Sequence, residues 1–393
     1  MMLSDKRIVL GVSGGIAAYK SVEISRRLVD AGAFVSPVMS SAAKKFIGEL
    51  TLSALASEPV KTSLWEDEDP IPHTTLGQQA DLILVAPATA KLIGNYAAGI
   101  SGDLLTATLL ATKAPVVLCP AMHTEMWEHQ AVQDNINTLR ERGVIIVDPE
   151  DGILAGGDLG KGRLAGVETI LSNVELVLTK KDLLNLKILV TSGGTREPID
   201  PVRYITNRSS GKQGYALAEA AFMRGADVTL VTSMPDFAPV GVKVLCAETA
   251  QEMNDVVMRN QEDFDIVIMA AAIADFRPEL ISEQKIKKIK GSTDLKLINT
   301  HDFLVDLGKG KRPSQTIVGF AAETEDLESN AMEKLKRKHL DLIVANNVSL
   351  PGVGFSYDTN EVTIISEDSK WTVPLSDKRI IADGILDAIL EIR

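Results

Sequence analysis

The chain has 393 residues, of which 45% are hydrophobic and 24% charged, so it is long enough for two globular domains. A net charge of −12 at pH 7 argues against broad nucleic-acid binding, and no uninterrupted apolar run approaches the ~20 residues of a membrane span. The two cysteines, Cys119 and Cys246, are too few and too far apart for a disulfide framework. We therefore expect a cytoplasmic protein that binds neither nucleic acid nor membrane.

Strand and helix patterns alternate through the first half of the chain. Strands are predicted at RIVLGV, FVSPVM, DLILVAPA, PVVLCPA and VIIVDP, and helices at AAYKSVEISRRLVDAG, KFIGELTLSALAS and SGDLLTATLLAT. Strands separated by single helices are typical of parallel βαβ units. The glycine-rich stretch DGILAGGDLGKGRLAG has no periodicity and predicts a mobile flap.

The pattern begins again in the second half. After the helix ETILSNVELVLTKK, strands are predicted at KILVTS, DVTLVTS, DIVIMAAA, TIVGFAAET, DLIVANN and EVTIISED, with helices between them. We predict an α/β protein with two tandem parallel-sheet domains of Rossmann-like or flavoprotein type. The first covers residues 1–180 and the second residues 186–393.

Each half opens with a strand that runs into Ser-Gly-Gly. In the first half Ser13, Gly14 and Gly15 lead into a helix, whose free N–H groups and dipole favour a phosphate. The turn is not G-x-G-x-x-G and no acidic residue follows at ribose spacing, so NAD is not favoured. By itself the turn also fits an ordinary tight connection between strand and helix.

Four segments occur in the order SGGIAAYK, PHTTLGQQADLILVAPATA, GDLLTATLL and PAMHTEMWEH. Together they resemble the FMN-dependent cysteine decarboxylases. The resemblance implies that His73 is a catalytic base, removing a proton as hydride leaves the substrate thiol, a role that suits imidazole. The FMN-binding residues that it implies are Ser13, Gly14, Gly15, Ser40, Ala86, Pro87 and Thr89.

Two positions depart from the pattern of that family. His123 stands where the family has an asparagine that binds the substrate carboxylate, and Gly156 stands where the flap has a cysteine credited with protonating the intermediate. Imidazole can also bind a carboxylate, so His123 remains a predicted catalytic residue. The proton donor stays open among His123, Asp158 and water. A metal site at His123, Glu125 and His129 is disfavoured because the spacing matches no zinc motif.

The segment TSGGTREPIDPVRYITNRSSGKQG opens the second half. Arg196, Arg203 and Arg208 can form forked contacts with phosphate or carboxylate, and residues 209–211 predict an anion cradle at a helix start. The segments AAAIADFRP, KIKK, VGFAAET and KLKRKHLDLIVANN follow in order. Basic islands such as KIKKIK and KLKRKHL are candidate phosphate sites in an acidic chain.

Taken together, these segments resemble the bacterial, CTP-dependent phosphopantothenate–cysteine ligases over essentially the whole second half. The resemblance implies that Asn207 orients an acyl-cytidylate intermediate and that Lys285 acts at the triphosphate, both as catalytic residues. A divalent ion, Mg²⁺, is expected, and its ligands are not assigned. The nucleotide-binding residues that it implies are Ala271, Ala272, Asp275, Lys285, His301, Asp302, Phe303, Leu304, Phe320, Lys334 and Lys338.

The two resemblances imply a bifunctional enzyme of coenzyme A biosynthesis. It would join 4′-phosphopantothenate to L-cysteine with CTP and then decarboxylate the product to 4′-phosphopantetheine with FMN. The expected partners are these small molecules and further copies of the chain, since the family flavodomains are trimeric with the flavin at a subunit interface and the ligase domains are dimeric. Three alternatives remain: a ligase whose decarboxylase is impaired by His123 and Gly156, a flavin-binding regulatory subunit, and a generic NAD(P) or flavin reductase.

Overall fold

The computed structural model describes residues 3–65, 69–287, 294–323, 326–347, 349, 352–354 and 357–393. The chain divides into two compact units, Met1–Thr179 and Lys180–Arg393. Each unit is built on a mainly parallel sheet with helices, which confirms the predicted α/β class.

The first unit contains a five-stranded parallel sheet in the order β2-β1-β3-β4-β5. Its strands are β1 (Arg7–Val12), β2 (Phe34–Met39), β3 (Leu82–Ala88), β4 (Val116–Pro120), β5 (Ile145–Ile146), β6 (Glu150–Ile153) and β7 (Leu159–Arg163). Its helices are α1 (Lys20–Asp30), α2 (Glu49–Ser53), α3 (Pro72–Gln79), α4 (Ala90–Ala97), α5 (Leu104–Ala111), α6 (Thr124–Trp127), α7 (Gln130–Glu141) and α8 (Val167–Leu178). The strand order changes direction between β1 and β3, where such sheets bind ligands beyond the carboxyl ends of their strands.

Helices cover both faces of this sheet. Along β1, Ile8 and Leu10 pack into one buried cluster with α1 and α8, whereas Val9 packs into a second cluster with α3, α4, α5 and α7. Because successive side chains of a strand point to opposite faces, the alternation places one core on each side. A sheet buried on both faces requires the nearly continuous apolar strands that the sequence contains.

Two local predictions of secondary structure in the first unit are wrong. The flap is predicted to have no regular structure, but it forms an antiparallel hairpin, β6 paired with β7, whose alternation its glycines concealed. The segment KFIGELTLSALAS does not form one helix, since a short 3₁₀ turn at Ala43–Lys45 is separated from α2 by Gly48 in an extended conformation. Glycine weakens a helix at such a point because its backbone is unconstrained.

The second unit contains an eight-stranded sheet in the order β12-β11-β8-β13-β16-β17-β18-β19, and the pairs β9–β10 and β14–β15 form separate hairpins. Its strands are β8 (Lys187–Ser192), β9 (Arg196–Pro198), β10 (Tyr204–Thr206), β11 (Asp227–Thr232), β12 (Lys243–Cys246), β13 (Ile266–Met269), β14 (Phe276–Pro278), β15 (Leu297–Asn299), β16 (Thr316–Glu323), β17 (Leu342–Asn347), β18 (Thr359–Ile365) and β19 (Lys370–Asp377). Its helices are α9 (Lys212–Met223), α10 (Ala250–Asn260), α11 (Phe303–Gly310), α12 (Leu327–Arg337) and α13 (Lys378–Glu391).

The second sheet is mixed rather than wholly parallel. Its first six strands are parallel, but β18 runs antiparallel to both β17 and β19. Helices α9 and α13 pack on one face, and α10, α11 and α12 on the other. In the part of the chain that the structure describes, no helix combines the length and apolar character needed to cross a membrane.

Candidate active sites

A cavity of about 690 Å³ lies at the carboxyl ends of the strands in the first unit. The Ser-Gly-Gly turn after β1 forms one wall, and the loop after β3 forms another. Five of the residues predicted to bind flavin line this cavity, namely Ser13, Gly14, Gly15, Ser40 and Thr89. The other two, Ala86 and Pro87, are buried in β3 behind the wall.

Ser13 joins the two walls. Its Oγ donates to the carbonyl oxygen of Pro87 at 2.7 Å and accepts from the backbone N–H of Thr89 at 2.9 Å. Ser21 adds a hydrogen bond from its Oγ to the carbonyl oxygen of Ala86 at 2.6 Å. The serine hydroxyl is therefore used to build the site. The backbone around the turn and the side chains of the loop remain to contact a ligand.

The residues around this cavity fit a flavin phosphate and ring. A Cβ at Gly14 would lie 2.3 Å from the Cβ of Ala42, so any residue other than glycine would clash at this position. Gly15 ends the turn in an extended conformation and a helical segment begins directly after it, which directs backbone N–H groups into the cavity. Apolar side chains such as Leu92 and Met122 line the remaining wall and suit an aromatic ring.

His73 lies outside this cavity. It is the second residue of α3, is half-buried, and its Nδ1 atom is buried without a hydrogen-bond partner among the described residues. Buried polar atoms of this kind are uncommon in folded proteins and are often functional. The structure therefore does not bring His73 to the flavin turn of its own chain.

His123 lies in the cavity and is held by two carboxylates. It precedes α6, and its Nδ1 bonds to Glu125 while its Nε2 lies 3.1 Å from Asp158 Oδ2. Asp158 lies between β6 and β7, in the turn of the hairpin that replaces the predicted flap. The hydrogen bond with Glu125, followed by that with Asp158, raises the pKa of His123 above its ordinary value.

A second cavity, of about 590 Å³, lies in the second unit at the carboxyl ends of β8, β13 and β16. All predicted nucleotide-binding residues except Lys285 line it. Asn207 also lines it and donates from Nδ2 to the carbonyl oxygens of Ala272 and Ile273, at 3.4 and 3.0 Å. Gly211 begins α9 with φ of 73°, a left-handed conformation that favours glycine. The predicted anion cradle therefore faces the same space as the loop after β13.

Several of the cationic side chains at this second cavity are already paired with carboxylates. Lys334 forms an ion pair with Glu323, and Lys338 Nζ lies 2.9 Å from Asp302 Oδ2. His301 Nε2 lies 2.6 Å from Asp306 Oδ2. An anionic ligand in this cavity would have to compete with these carboxylates for the cationic side chains.

Lys285 is exposed and is not among the residues lining the cavity, but the segment that carries it is anchored. The buried carboxylate of Asp200 accepts from the backbone N–H of Ile286 at 3.1 Å and pairs with Arg203, whose guanidinium donates to the Ile286 carbonyl oxygen at 2.9 Å. The Arg203 guanidinium holds the pKa of Asp200 well below its ordinary value. Residues 288–290 of the predicted basic island lie outside the described residues.

Two of the three predicted arginines have internal partners in the second unit. Arg203 is paired as above, and Arg196 lies 3.7 Å from Glu248 and stacks over Tyr204, with 5.3 Å between the guanidinium carbon and the ring centroid. Arg208 is exposed and is not among the lining residues. Arg196 and Arg203 therefore stabilise the loops around the site through contacts within the second unit.

Sequence reasoning missed a buried lysine in the second cavity. Lys378, the first residue of α13, is 5% exposed and donates from Nζ to the carbonyl oxygens of Gly354 and Tyr357, at 3.1 and 2.6 Å. Burial, followed by the charge of Lys212, lowers its pKa to about 8. No motif surrounds Lys378 in the sequence; only the return of the last strand and helix to the sheet brings it to the cavity.

Each unit thus carries a glycine turn and a cavity at the carboxyl ends of parallel strands, which defines an α/β enzyme with two sites. Residues 1–179 match the model of the Flavoprotein family, and residues 183–392 match that of the DNA/pantothenate metabolism flavoprotein C-terminal domain. The coenzyme A biosynthesis bifunctional protein CoaBC of Mycobacterium bovis is 44% identical over 98% of this chain and 96% of its own length.

Two further relatives complete the comparison. The CoaBC protein of Vibrio cholerae is 43% identical over 99% of both chains. A solved C-terminal domain of a CoaBC protein is 38% identical and covers 53% of this chain and 96% of its own, with a TM-score of 0.45. The chain belongs to the family of coenzyme A biosynthesis bifunctional proteins.

Proposed function

We propose that the second unit joins 4′-phosphopantothenate to L-cysteine at the expense of CTP, and that the first unit decarboxylates the product to 4′-phosphopantetheine with FMN. The main support is that most of the binding residues implied by each resemblance line a single cavity, one in each unit. Membership of the family supports the pairing of the two activities. The two free cysteines, Cys119 and Cys246, support a reducing cytoplasm as the compartment.

In the second unit we assign the nucleotide to the wall formed by Asp275, Phe320 and Lys338. Phosphate charge builds up as the carboxylate attacks, so the lysines stabilise it electrostatically. Mg²⁺ would be held by the triphosphate oxygens with few protein ligands, as is common for this ion. Asn207, fixed by two backbone carbonyl oxygens, would orient the acyl-cytidylate for attack by the cysteine amine.

In the first unit, FMN would be held by the turn of Gly14 and Gly15 and by Thr89. When bound, it supplies an acceptor and later a donor of hydride. The chain supplies the proton transfers and the orientation of substrate. Oxidation of the thiol to a thioaldehyde places C=S β to the carboxylate, from which carbon dioxide leaves readily.

We propose that the first unit forms trimers and that His73 of one copy serves the cavity of another. His73 is not among the residues that line the cavity of its own chain, and its Nδ1 is buried without a partner among the described residues; both observations support this. Large apolar side chains near it are exposed, with Trp65 88% and Ile71 52% exposed, and surfaces of this kind commonly mark interfaces. The ligase units are proposed to dimerise.

The test is a single reaction followed by mass spectrometry. Purified protein is incubated with 4′-phosphopantothenate, L-cysteine, CTP and magnesium, and products are measured over time. Appearance of 4′-phosphopantetheine is expected and requires both sites to work. Accumulation of 4′-phosphopantothenoylcysteine alone would show a ligase with an inactive decarboxylase, and oxidation of NADPH without either product would favour a reductase.

A further inference from the structure

His123 is the side chain in the first cavity whose surroundings suit proton donation. A neutral imidazole has one N–H, so only the imidazolium can donate to Glu125 through Nδ1 and to Asp158 through Nε2 at the same time. The side chain is 40% exposed, so a substrate can reach it. The His123 imidazolium therefore carries a proton that it can donate to a ligand in the cavity.

Three other ionisable groups in or near the cavity are held by the protein itself. Lys20 donates to the carbonyl oxygen of Leu164 at 3.1 Å, and Asp103 caps α5 by accepting from the backbone of Thr106. Cys119 is completely buried in the core, and burial raises the pKa of its thiol. The thiol is therefore neither accessible nor acidic enough to take part.

The turn of the β6–β7 hairpin leaves space beside the imidazole. A Cβ built on Gly156 would lie 3.6 Å from His123 Nε2 and 3.0 Å from Asp158 Oδ2. With glycine at this position, no side chain of residue 156 fills the space beside Nε2, and Asp158 is the carboxylate that borders it. A substrate carboxylate can take the place of Asp158 at Nε2, since both are carboxylates and Asp158 is 66% exposed.

We propose that His123 is the general acid of the decarboxylation, with Glu125 as its positioning residue. The inference rests on the proposed function of the first unit. The substrate carboxylate binds at Nε2–H and departs as carbon dioxide, leaving its electron pair in an enethiolate. Nε2 then faces the carbon that carried the carboxylate.

The proton transfer balances without a further reactant. The C=C pair of the enethiolate takes the Nε2 proton, the sulfur electrons form C=S, and the imidazolium becomes neutral. The hydride taken from the carbon that bears sulfur, which FMN would carry between the two steps, then returns to that carbon and gives the thiolate. The proton removed in the first step returns to the sulfur and completes the thiol. Solvent reprotonates His123, which Glu125 and Asp158 favour. The positive charges of Lys161, which lies over the Trp127 ring, and Arg163, which lines the cavity, oppose this step.

The first measurement is product partition in His123→Asn. The variant should still release carbon dioxide, but the enethiol, two hydrogens lighter than the thiol product, should accumulate, and the thiol product should fall by roughly 10²-fold. Adding Gly156→Cys should restore the thiol product because its sulfur enters the space beside residue 123. His129→Asn is the matched control, since His129 caps α7 outside the cavity and asparagine also caps helices.

The second measurement needs no flavin. The chain has five histidines, so the ¹³Cε1 signal of His123 can be assigned by substitution and its pKa followed by NMR in the full chain. Glu125→Gln and Asp158→Asn should each lower that pKa toward about 6.5. An unchanged pKa in both variants would overturn the role given to the carboxylates.

Two outcomes of the first measurement would overturn the proposal. One is a wild-type proportion of thiol product from His123→Asn. The other is complete loss of carbon dioxide release in that variant with flavin still bound, which would place His123 before the decarboxylation step. If the wild-type chain itself released no carbon dioxide from 4′-phosphopantothenoylcysteine, the proposed function of the first unit would fail instead.

Discussion

The two cavities have similar volumes but are built from different side chains. The first is lined largely by small and apolar residues, with His123 among the ionisable side chains at its wall. The second is lined by amides and charged groups, and its lysines Lys334 and Lys338 already have carboxylate partners. We therefore expect the first site to recognise a ligand mainly by shape and the second mainly by ion pairing. Substitutions should affect the two sites in different ways.

Removal of the proposed base should have the largest effect. We expect His73→Asn to slow carbon dioxide release by about 10²–10⁴-fold, because no side chain then accepts the proton of the substrate thiol. Amide formation with CTP should continue at the wild-type rate. Both rates are measured in one mixture by mass spectrometry, with Thr74→Ala on the same helix as control. Parallel loss of both activities would show that the two sites are not chemically independent.

A comparable experiment on the second site concerns Lys285. We expect Lys285→Gln to reduce CMP release by roughly 10²–10³-fold, because phosphate charge in the transition state loses a cation. The flavin absorbance of the first unit should be unchanged. Lys287→Gln, two residues along the same exposed segment, is the control. Unchanged CMP release in Lys285→Gln would remove this lysine from the site.

The anchor beneath Lys285 should matter less than the lysine itself. Asp200→Asn keeps the size of the side chain but removes the charge that pairs with Arg203, so the segment at Ile286 should loosen and kcat for amide formation should fall about tenfold. A return of activity with added methylamine in Lys285→Gln but not in Asp200→Asn would separate charge from position. Asp236→Asn on an exposed turn controls for the loss of a carboxylate. Wild-type kcat in Asp200→Asn would contradict the anchoring role.

The pH dependence of the free energy of unfolding should test the same anchor at Asp200. Since the pKa of Asp200 is lower in the folded chain than its ordinary value, its stabilising contribution is present above the ordinary pKa and is lost as pH falls toward the folded value. Wild-type protein should therefore lose stability relative to Asp200→Asn as the pH falls below about 4. Unfolding in denaturant at a series of pH values measures this difference, and a constant difference would contradict the assignment.

A smaller effect is expected at Lys338, the residue that caps the C-terminal end of α12. In Lys338→Met the nucleotide loses one charge-assisted contact, but in the wild type that contact replaces an existing pair with Asp302, so KM for CTP should rise only about fivefold. Lys336→Met on the exposed side of the same helix is the matched control. A KM that is unchanged in Lys338→Met would mean that the pair with Asp302 persists when CTP binds.

Much of this architecture could be predicted from the sequence because its signals are local. Apolar strands such as β1 and β3 alternate with amphipathic helices, and the Ser-Gly-Gly turns mark where strands end. The mixed end of the second sheet was not predicted, since the direction of β18 depends on pairing rather than on its own residues. The β6–β7 hairpin was missed because its glycines hide the alternation of a strand.

The site residues also fall into those that local sequence signals predict and those that depend on the tertiary fold. Residues in motifs, such as Thr89 and Asp275, line the cavities as predicted, since each lies in the loop that follows a strand of the sheet: Thr89 directly after β3, and Asp275 between β13 and β14. Lys378 and the anchor at Asp200 were missed because their partners are distant in sequence: Gly354 precedes Lys378 by 24 residues, and Ile286 follows Asp200 by 86. Pairing at such separations is set by the tertiary fold.

Lys378 is the position where we expect the smallest effect. It is 5% exposed, and its ammonium donates to backbone carbonyl oxygens rather than to a carboxylate. Because burial lowers the pKa of Lys378 to about 8, its charged form opposes folding below that pH, and stability is regained as pH rises from about 8 to 10.5. The free energy of unfolding of the wild type should therefore rise relative to Lys378→Met across that interval. Lys243→Met, at an exposed lysine, controls for the substitution. A difference that stays constant with pH would mean that the Lys378 ammonium is solvated. A substrate would then have no buried charge to neutralise at this lysine.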